Sequence, residues 1–167
     1  RPAAPGRDGE RAERPQHDPR LLALNSVPPD FSLKDSEGKT WTMADFKGKV
    51  VLVDFWGSWC PPCRAAMPSV QKLHEEFKDQ GVLVMGMNFE QNKSVDPAKW
   101  KKDKGYTYPS LLEAQTIARA WKVNGWPTFY VLDREGRVVW GTAGFGGAQG
   151  FENAAREAIR KALAQQG

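Results

Sequence analysis

Apolar and polar residues follow one another along the chain in patterns that predict an α/β protein. Residues 50–56 are apolar on both faces apart from one Asp, which is typical of a central strand in a covered sheet. Four apolar residues then recur at the spacing of one helix face: Met67, Val70, Leu73 and Phe77. The apolar run at 82–87 predicts a second buried strand, so the region as a whole predicts a β-α-β unit.

Shorter elements flank this unit. Residues 31–33 and 40–42 lie on either side of an Asp-Ser-Glu-Gly turn, which predicts a β-hairpin. Pro68 lies inside the first long helix and should kink it. The other expected elements follow in chain order: a helical turn at 43–46, an insert at 88–105 with a helix from Asp96, a short strand at 108–112, a short helix at 114–121, a hairpin of 128–132 with 137–140, and a C-terminal helix.

The first 24 residues have a different composition from the rest. They mix basic and acidic residues with four prolines and few apolar side chains, so burial cannot offset the entropy lost on ordering. We therefore expect a flexible tail or tether at 1–24 and one folded domain at 25–167. Because the sequence begins with Arg1 rather than Met, we also expect that a signal peptide, a membrane anchor or another segment precedes it.

Composition excludes some classes of function. The chain of 167 residues carries a net charge of only +4, and its 24 Lys and Arg residues are spread along it, which argues against nucleic-acid binding. No apolar stretch approaches the ~18 residues of a membrane-spanning helix.

The only two cysteines, Cys60 and Cys63, form a Cys-Pro-Pro-Cys motif between the first predicted strand and the following helix. A cysteine at a helix N-terminus is expected to be exposed and acidic, because the unpaired N–H groups and the helix dipole stabilise its thiolate. A second cysteine one turn later can close a disulfide with it. The pair therefore predicts a dithiol–disulfide redox protein.

The two prolines of this motif bear on its chemistry. Pro61 and Pro62 have no N–H, so two potential hydrogen-bond donors to the Cys60 thiolate are missing. We therefore expect a modest lowering of the pKa of Cys60, and a reduction potential toward the reducing end of the range of ~−120 to −270 mV.

Metal binding is the main alternative for a Cys-x-x-Cys pair. Zinc needs two further ligands, and the chain offers only His17 and His74 and no second cysteine pair. Copper delivery needs soft ligands and usually a histidine, but no histidine follows His74. We predict no metal, although a metal-binding module in which the dithiol is only a ligand remains an alternative function.

Two further positions are candidate site residues. Asp54 interrupts the apolar strand before Cys60, so desolvation should raise its pKa and let it accept the proton of Cys63; a carboxylate that only hydrogen-bonds backbone is the alternative. Pro127 opens a later strand, and a cis bond after Trp126 would turn backbone groups toward a substrate; an ordinary trans proline is the alternative.

Three motifs and one helix proline occur together in this chain: residues 48–56, residues 59–64, residues 126–128 and Pro68. The combination resembles the thioredoxin superfamily, and specifically its extracytoplasmic TlpA/ResA-like branch, over roughly residues 27–165. The resemblance implies a thioredoxin fold, with a central mixed sheet flanked by helices, an N-terminal hairpin and a central insert. It also implies that Cys60 attacks, that Cys63 resolves, and that a cis Pro127 faces them, with Trp59 and Trp126 bordering the groove.

The resemblance also carries expectations about biology. It implies a thiol–disulfide oxidoreductase, outside the cytoplasm of a bacterium, that reduces exported proteins such as apocytochromes c. It further implies a membrane thiol-transfer protein as electron donor, a monomer, and no cofactor beyond the disulfide. Some members place a Glu at the start of the insert, where Glu90 is the nearest residue, although an exposed loop Glu is the alternative.

A peroxide reductase is the rival enzyme class, because peroxiredoxins share this core and the opening at 27–31. Their reactive cysteine needs a Pro and a Thr upstream to shape its pocket. Here the segment before Cys60 is Trp-Gly-Ser-Trp instead.

Overall fold

The computed structural model describes residues 15–165. Its elements are β1 (Leu33–Lys34), β2 (Thr40–Trp41), a 3-10 turn (Met43–Phe46), β3 (Val50–Trp56), α1 (Pro61–Phe77), β4 (Val82–Asn88), α2 (Pro97–Asp103), β5 (Ser110–Leu111), α3 (Gln115–Ala118), β6 (Thr128–Leu132), β7 (Val138–Ala143) and α4 (Ala148–Ala164). Each element predicted from the sequence is present. The short helix and the short strand after the insert occupy fewer residues than expected.

The strands β5-β4-β3-β6-β7 form one mixed sheet, and β1 and β2 form a separate antiparallel hairpin. The central strand β3 pairs in parallel with β4 and antiparallel with β6. All seven residues of β3 are buried, as expected for a strand covered on both faces.

Two apolar clusters lie on opposite faces of this sheet. Val50, Leu52 and Trp56 of β3 pack with buried side chains of α1 and α4, whereas Val51 and Phe55 pack with the 3-10 turn, the hairpin and α3. This alternation follows from the period of two along a strand. It places Asp54, which shares the parity of Leu52, on the α1 side of the sheet.

Helix α1 begins directly after Cys60, which is its N-cap, and carries Pro61 at a favourable first position. The helix continues through Pro68 to Phe77 as a single element. Within residues 15–165, no helix is both long enough and apolar enough to cross a membrane.

The boundary of the folded domain lies earlier than the sequence predicts. Residues 1–14 of the expected tail lie outside the described residues, but 15–24 pack against the domain. Leu21 and Leu22 are buried in the second cluster. The N–H of Asp18 donates to the Gly141 carbonyl at 2.9 Å and that of Asn25 to the Val138 carbonyl at 2.8 Å, both on β7. The prediction was wrong here because two adjacent leucines can anchor a stretch that is polar on average.

Candidate active site

Cys60 and Cys63 form a disulfide at the start of α1, with their Cα atoms 5.2 Å apart. The backbone N–H of Cys63 points at Cys60 Sγ, with N and S 3.2 Å apart. Pro61 and Pro62 fill the two positions between them and offer no N–H. One helix-terminal donor therefore faces the sulfur of Cys60, as the prolines of the motif predict.

Both cysteines are buried in the disulfide form, with 2% of Cys60 and 1% of Cys63 exposed. The expectation of an exposed first thiol was therefore wrong for this form. The Trp126 carbonyl oxygen lies 3.4 Å from Cys60 Sγ, and the rings of Trp59 and Trp126 pack against the cluster that contains the pair.

The Trp126–Pro127 peptide bond is cis, as predicted. It directly precedes β6, and the Pro127 carbonyl accepts a hydrogen bond from the N–H of Gly144 at 2.7 Å. The Trp126 carbonyl faces the sulfur of Cys60, although the two residues lie 66 positions apart in the sequence.

Three aromatic rings form one wall beside the disulfide. Trp59 lies 6.2 Å from Trp126 and 6.0 Å from Phe89 between ring centroids, and its indole N–H donates to the Phe89 carbonyl at 2.8 Å. Gly57 permits this arrangement, because a Cβ there would collide with the Trp59 ring and the Phe89 carbonyl. The wall is apolar and half-buried, which suits contact with a polypeptide substrate.

Asp54 is 1% exposed and lies across from Gly86 on β4 and Phe129 on β6. Neither carboxylate oxygen has a hydrogen-bond partner within the described part of the chain. Desolvation by burial raises the pKa of Asp54 to about 8, and the positive charge of Lys101 opposes this rise. The predicted direction is confirmed, and the alternative of a carboxylate hydrogen-bonded to backbone is not what the structure shows.

Glu90, the possible site residue at the start of the insert, is buried, with 8% of its surface exposed, so the alternative of an exposed loop Glu is not what the structure shows. Its carboxylate accepts hydrogen bonds from the Ser58 N–H at 2.9 Å, from the Asn88 amide at 2.7 Å and from the Ser58 hydroxyl. The Ser58 carbonyl in turn accepts from Arg64 at 2.7 Å. Ser58 is thus held from both sides, two residues before Cys60.

Sequence reasoning missed Lys101 on α2. It is only 7% exposed although it stands in a run of lysines, and its Nζ lies 4.4 Å from the centroid of the Tyr108 ring. The neighbouring Trp100 marks an inward face of this short helix, but no pattern in the sequence separates Lys101 from the exposed Lys102.

Among residues 15–165, no group of three or more His, Cys, Asp or Glu side chains is placed to hold a metal ion. His17 and His74 each have a buried Nδ1 with no hydrogen-bond partner in the described part of the chain. Burial is the largest cause lowering the pKa of both.

The sequence profile of the AhpC/TSA family matches residues 25–140. The chain belongs to the AhpC/TSA family. A relative in Geobacillus thermodenitrificans, named thiol-disulfide oxidoreductase ResA, is 34% identical over 118 residues, which are 70% of this chain and 67% of the relative.

Solved structures of similar proteins share the fold. A Chlorobium tepidum structure described as a thiol:disulfide interchange protein DsbE superimposes with a TM-score of 0.76 at 29% identity, covering 86% of this chain and 99% of that one. The exposed lipoprotein thioredoxin of Streptococcus pneumoniae gives a TM-score of 0.64 at 28% identity, covering 80% and 99%. The predicted thioredoxin fold is therefore confirmed for this AhpC/TSA family member.

Proposed function

We propose that this chain is a thiol–disulfide oxidoreductase that reduces disulfides in exported proteins. The observation that carries the proposal is the Cys60–Cys63 disulfide at a helix N-terminus, with a buried carboxylate on the α1 side of the neighbouring strand. Similar proteins named as thiol-disulfide oxidoreductases and interchange proteins support the reaction class.

The first step is attack by Cys60. In the reduced protein, the N–H of Cys63 and the N-terminus of α1 stabilise the Cys60 thiolate. Its sulfur forms a bond to one sulfur of the substrate disulfide, and the electron pair of the broken S–S bond leaves on the other. The product is a mixed disulfide between Cys60 and the substrate.

The second step is resolution by Cys63. The Cys63 thiol gives its proton to Asp54, and its sulfur attacks Cys60 Sγ. The bond from Cys60 to the substrate breaks, and its electron pair leaves on the substrate sulfur, which solvent protonates. The substrate is reduced by two electrons, and the Cys60–Cys63 disulfide is restored without a further cofactor or metal.

Substrate is held beside the aromatic wall. Trp59 and Trp126 provide apolar contact, and the backbone around Pro127 lies next to the reacting sulfur. An extended polypeptide that carries the target disulfide fits this aromatic wall better than a small polar molecule does.

The single N–H donor at Cys60 favours work as a reductant, since a weakly stabilised thiolate is more readily oxidised. We place the protein outside the cytoplasm of a bacterium, as a monomer anchored to or released from the membrane. A membrane thiol-transfer protein supplies its electrons, and apocytochromes c are among its clients. The likeness to an exposed lipoprotein thioredoxin supports this location.

The test is reduction of insulin by the fully reduced protein with dithiothreitol as donor. We expect activity that is lost in C60S, while C63S should accumulate a mixed disulfide visible by mass spectrometry. Inactivity of the reduced wild type would overturn the proposal. Rapid consumption of hydrogen peroxide without insulin reduction would favour the peroxide reductase instead. Equilibration with glutathione gives the potential, and a strongly oxidising value would reverse the proposed direction.

A further inference from the structure

Lys101 is a buried lysine, and removing its charged amine from water costs free energy. It lies on α2, where Lys102 and Lys104 are exposed, yet only 7% of its own surface is accessible. Its Nζ donates to the Tyr106 carbonyl at 3.3 Å and stands over the Tyr108 ring. An ammonium group kept at such a position without a carboxylate in direct contact indicates a role beyond solubility.

The group that this charge acts on is Asp54. Asp54 pairs with Gly86 on β4 and Gly86 pairs with Ser110 on β5, and Ser110 lines one groove together with Lys101. Burial raises the pKa of Asp54 and lowers that of Lys101, and the opposite charge of the other group opposes each shift. No hydrogen bond joins them, because neither oxygen of Asp54 has a hydrogen-bond partner in the described part of the chain. The opposing positions on the neighbouring strands, Gly86 and Phe129, bring no charge to Asp54.

Other titratable groups around this cluster do not replace Lys101. From the segment before β5, the hydroxyl of Tyr108 is buried without a partner, and burial raises its pKa well above the ordinary value, so it remains neutral. From α1, burial is the largest cause lowering the pKa of His74, followed by the charges of Lys78 and Lys101. From α4, Glu152 is engaged by Ser69 at 2.8 Å and by Lys72 at 3.1 Å.

The insert also forms one side of a groove next to Lys101. Lys101 lines a groove of about 720 Å³ between the insert and the β1–β2 loop, whose wall includes Trp56, Tyr108 and Ser110. The groove therefore lies beside Lys101, on the side of the molecule where α2 lies.

We propose that Lys101 is a positioning residue for the resolving step, whose charge increases the fraction of Asp54 in the carboxylate form, which is the form that accepts the proton of Cys63. The proposal rests on the proposed function, because it concerns the same two cysteines. Because Lys101 lies on α2, the proposal gives the insert a role in the proton transfer from Cys63 to Asp54. With a pKa of about 8, about a tenth of Asp54 is ionised at pH 7, and loss of the Lys101 charge reduces that fraction further.

The experiment follows the two steps separately. Reduced protein is mixed with an aromatic disulfide reagent, which releases one coloured thiolate when Cys60 attacks and a second when Cys63 resolves. The rate of the second release is measured between about pH 6 and about pH 9. The variants are K101M, K101Q and K101R, with K102M as the matched control on the exposed side of α2.

We expect the second release to slow about tenfold at neutral pH in K101M and K101Q, with the profile displaced upward by about one pH unit. K101R and K102M should resemble the wild type, and the first release should change little in any variant. In D54N the second release should be slow, and adding K101M should change it no further, because the lysine acts through the carboxylate.

Three results would overturn the proposal. The first is a K101M and K101Q profile equal to that of the wild type. The second is a similar effect of K101M in the D54N background, and the third is slowing of both steps in K101R as much as in K101M, which indicates a structural role. Failure of the proposed function is distinguishable, because the wild type itself would then release only one coloured thiolate.

Discussion

Replacement of Asp54 by Asn is expected to stabilise the oxidised protein at neutral pH. Burial raises the pKa of Asp54 from 3.8 to about 8, and no hydrogen bond offsets this within the described chain. Between these values the unfolded chain releases the proton while the folded chain keeps it. The free energy of unfolding therefore falls as the pH rises from about 4 to about 8.

The structure sets the size of this effect. Each pH unit in the window is worth about 1.4 kcal/mol, and pH 7 lies about 3 units above the unfolded pKa, which corresponds to about 4 kcal/mol. Desolvation lowers the pKa of Lys101 to about 8, so this amine keeps its proton in both states below that pH and adds nothing to the slope. Asn carries no proton to exchange, so D54N should lose the pH dependence that Asp54 causes.

The assay is urea unfolding of the oxidised wild type and D54N at about pH 4, 5.5 and 7, followed by tryptophan fluorescence. D54N should gain up to about 4 kcal/mol at pH 7 and little at pH 4. D79N, which changes an exposed carboxylate just after α1, is the control and should resemble the wild type. A D54N protein that is no more stable at pH 7, or whose advantage does not vary with pH, would refute the reasoning.

Two further predictions concern stability. E90A removes the acceptor of the Ser58 N–H and of the Asn88 amide, and should lower the free energy of unfolding by about 1–3 kcal/mol, measured in urea. Q91A, at the exposed neighbouring residue, should leave it unchanged, and equal unfolding midpoints of the two variants would contradict the role assigned to the Glu90 carboxylate. L22A should lower the free energy of unfolding by about 2–5 kcal/mol in thermal or urea unfolding, whereas L24A, at a side chain that is 49% exposed, should lower it by under about 0.5 kcal/mol. If L22A has no effect, residues 15–24 behave as the flexible tail that the sequence predicts.

Local patterns were enough to predict most of the fold. The uninterrupted apolar strand β3 and the helical spacing of Met67 and Val70 each reflect burial of a whole face, which periodicity records directly. Cys60, Cys63 and Asp54 were found because each is a chemically distinct residue at a marked position in such a pattern.

The features that were missed depend on contacts distant in sequence. Glu90 is buried because Ser58 lies 32 positions earlier and offers two donors. Lys101 is buried because α2 packs toward the Tyr108 ring, and neighbouring lysines conceal it in the sequence. Leu22 is fixed through Tyr130, whose hydroxyl accepts from the Leu22 N–H at 3.2 Å across 108 positions. The spacing of apolar residues along the chain does not reveal contacts between residues so far apart in sequence.

The N-terminal segment covers the outer edge of the sheet at β7. Asp18 and Asn25 occupy backbone acceptors on the outer edge of β7, and the N–H of Val138 on that strand donates to Ser26 at 2.9 Å. At the opposite edge, β5 has only two residues, and the hairpin covers it through the Leu112 N–H, which donates to Lys34 at 2.8 Å. The clients proposed above, exported chains that have not finished folding, expose unpaired strand edges. Because described segments lie along both edges of the sheet, pairing of the proposed clients with β5 or β7 is hindered.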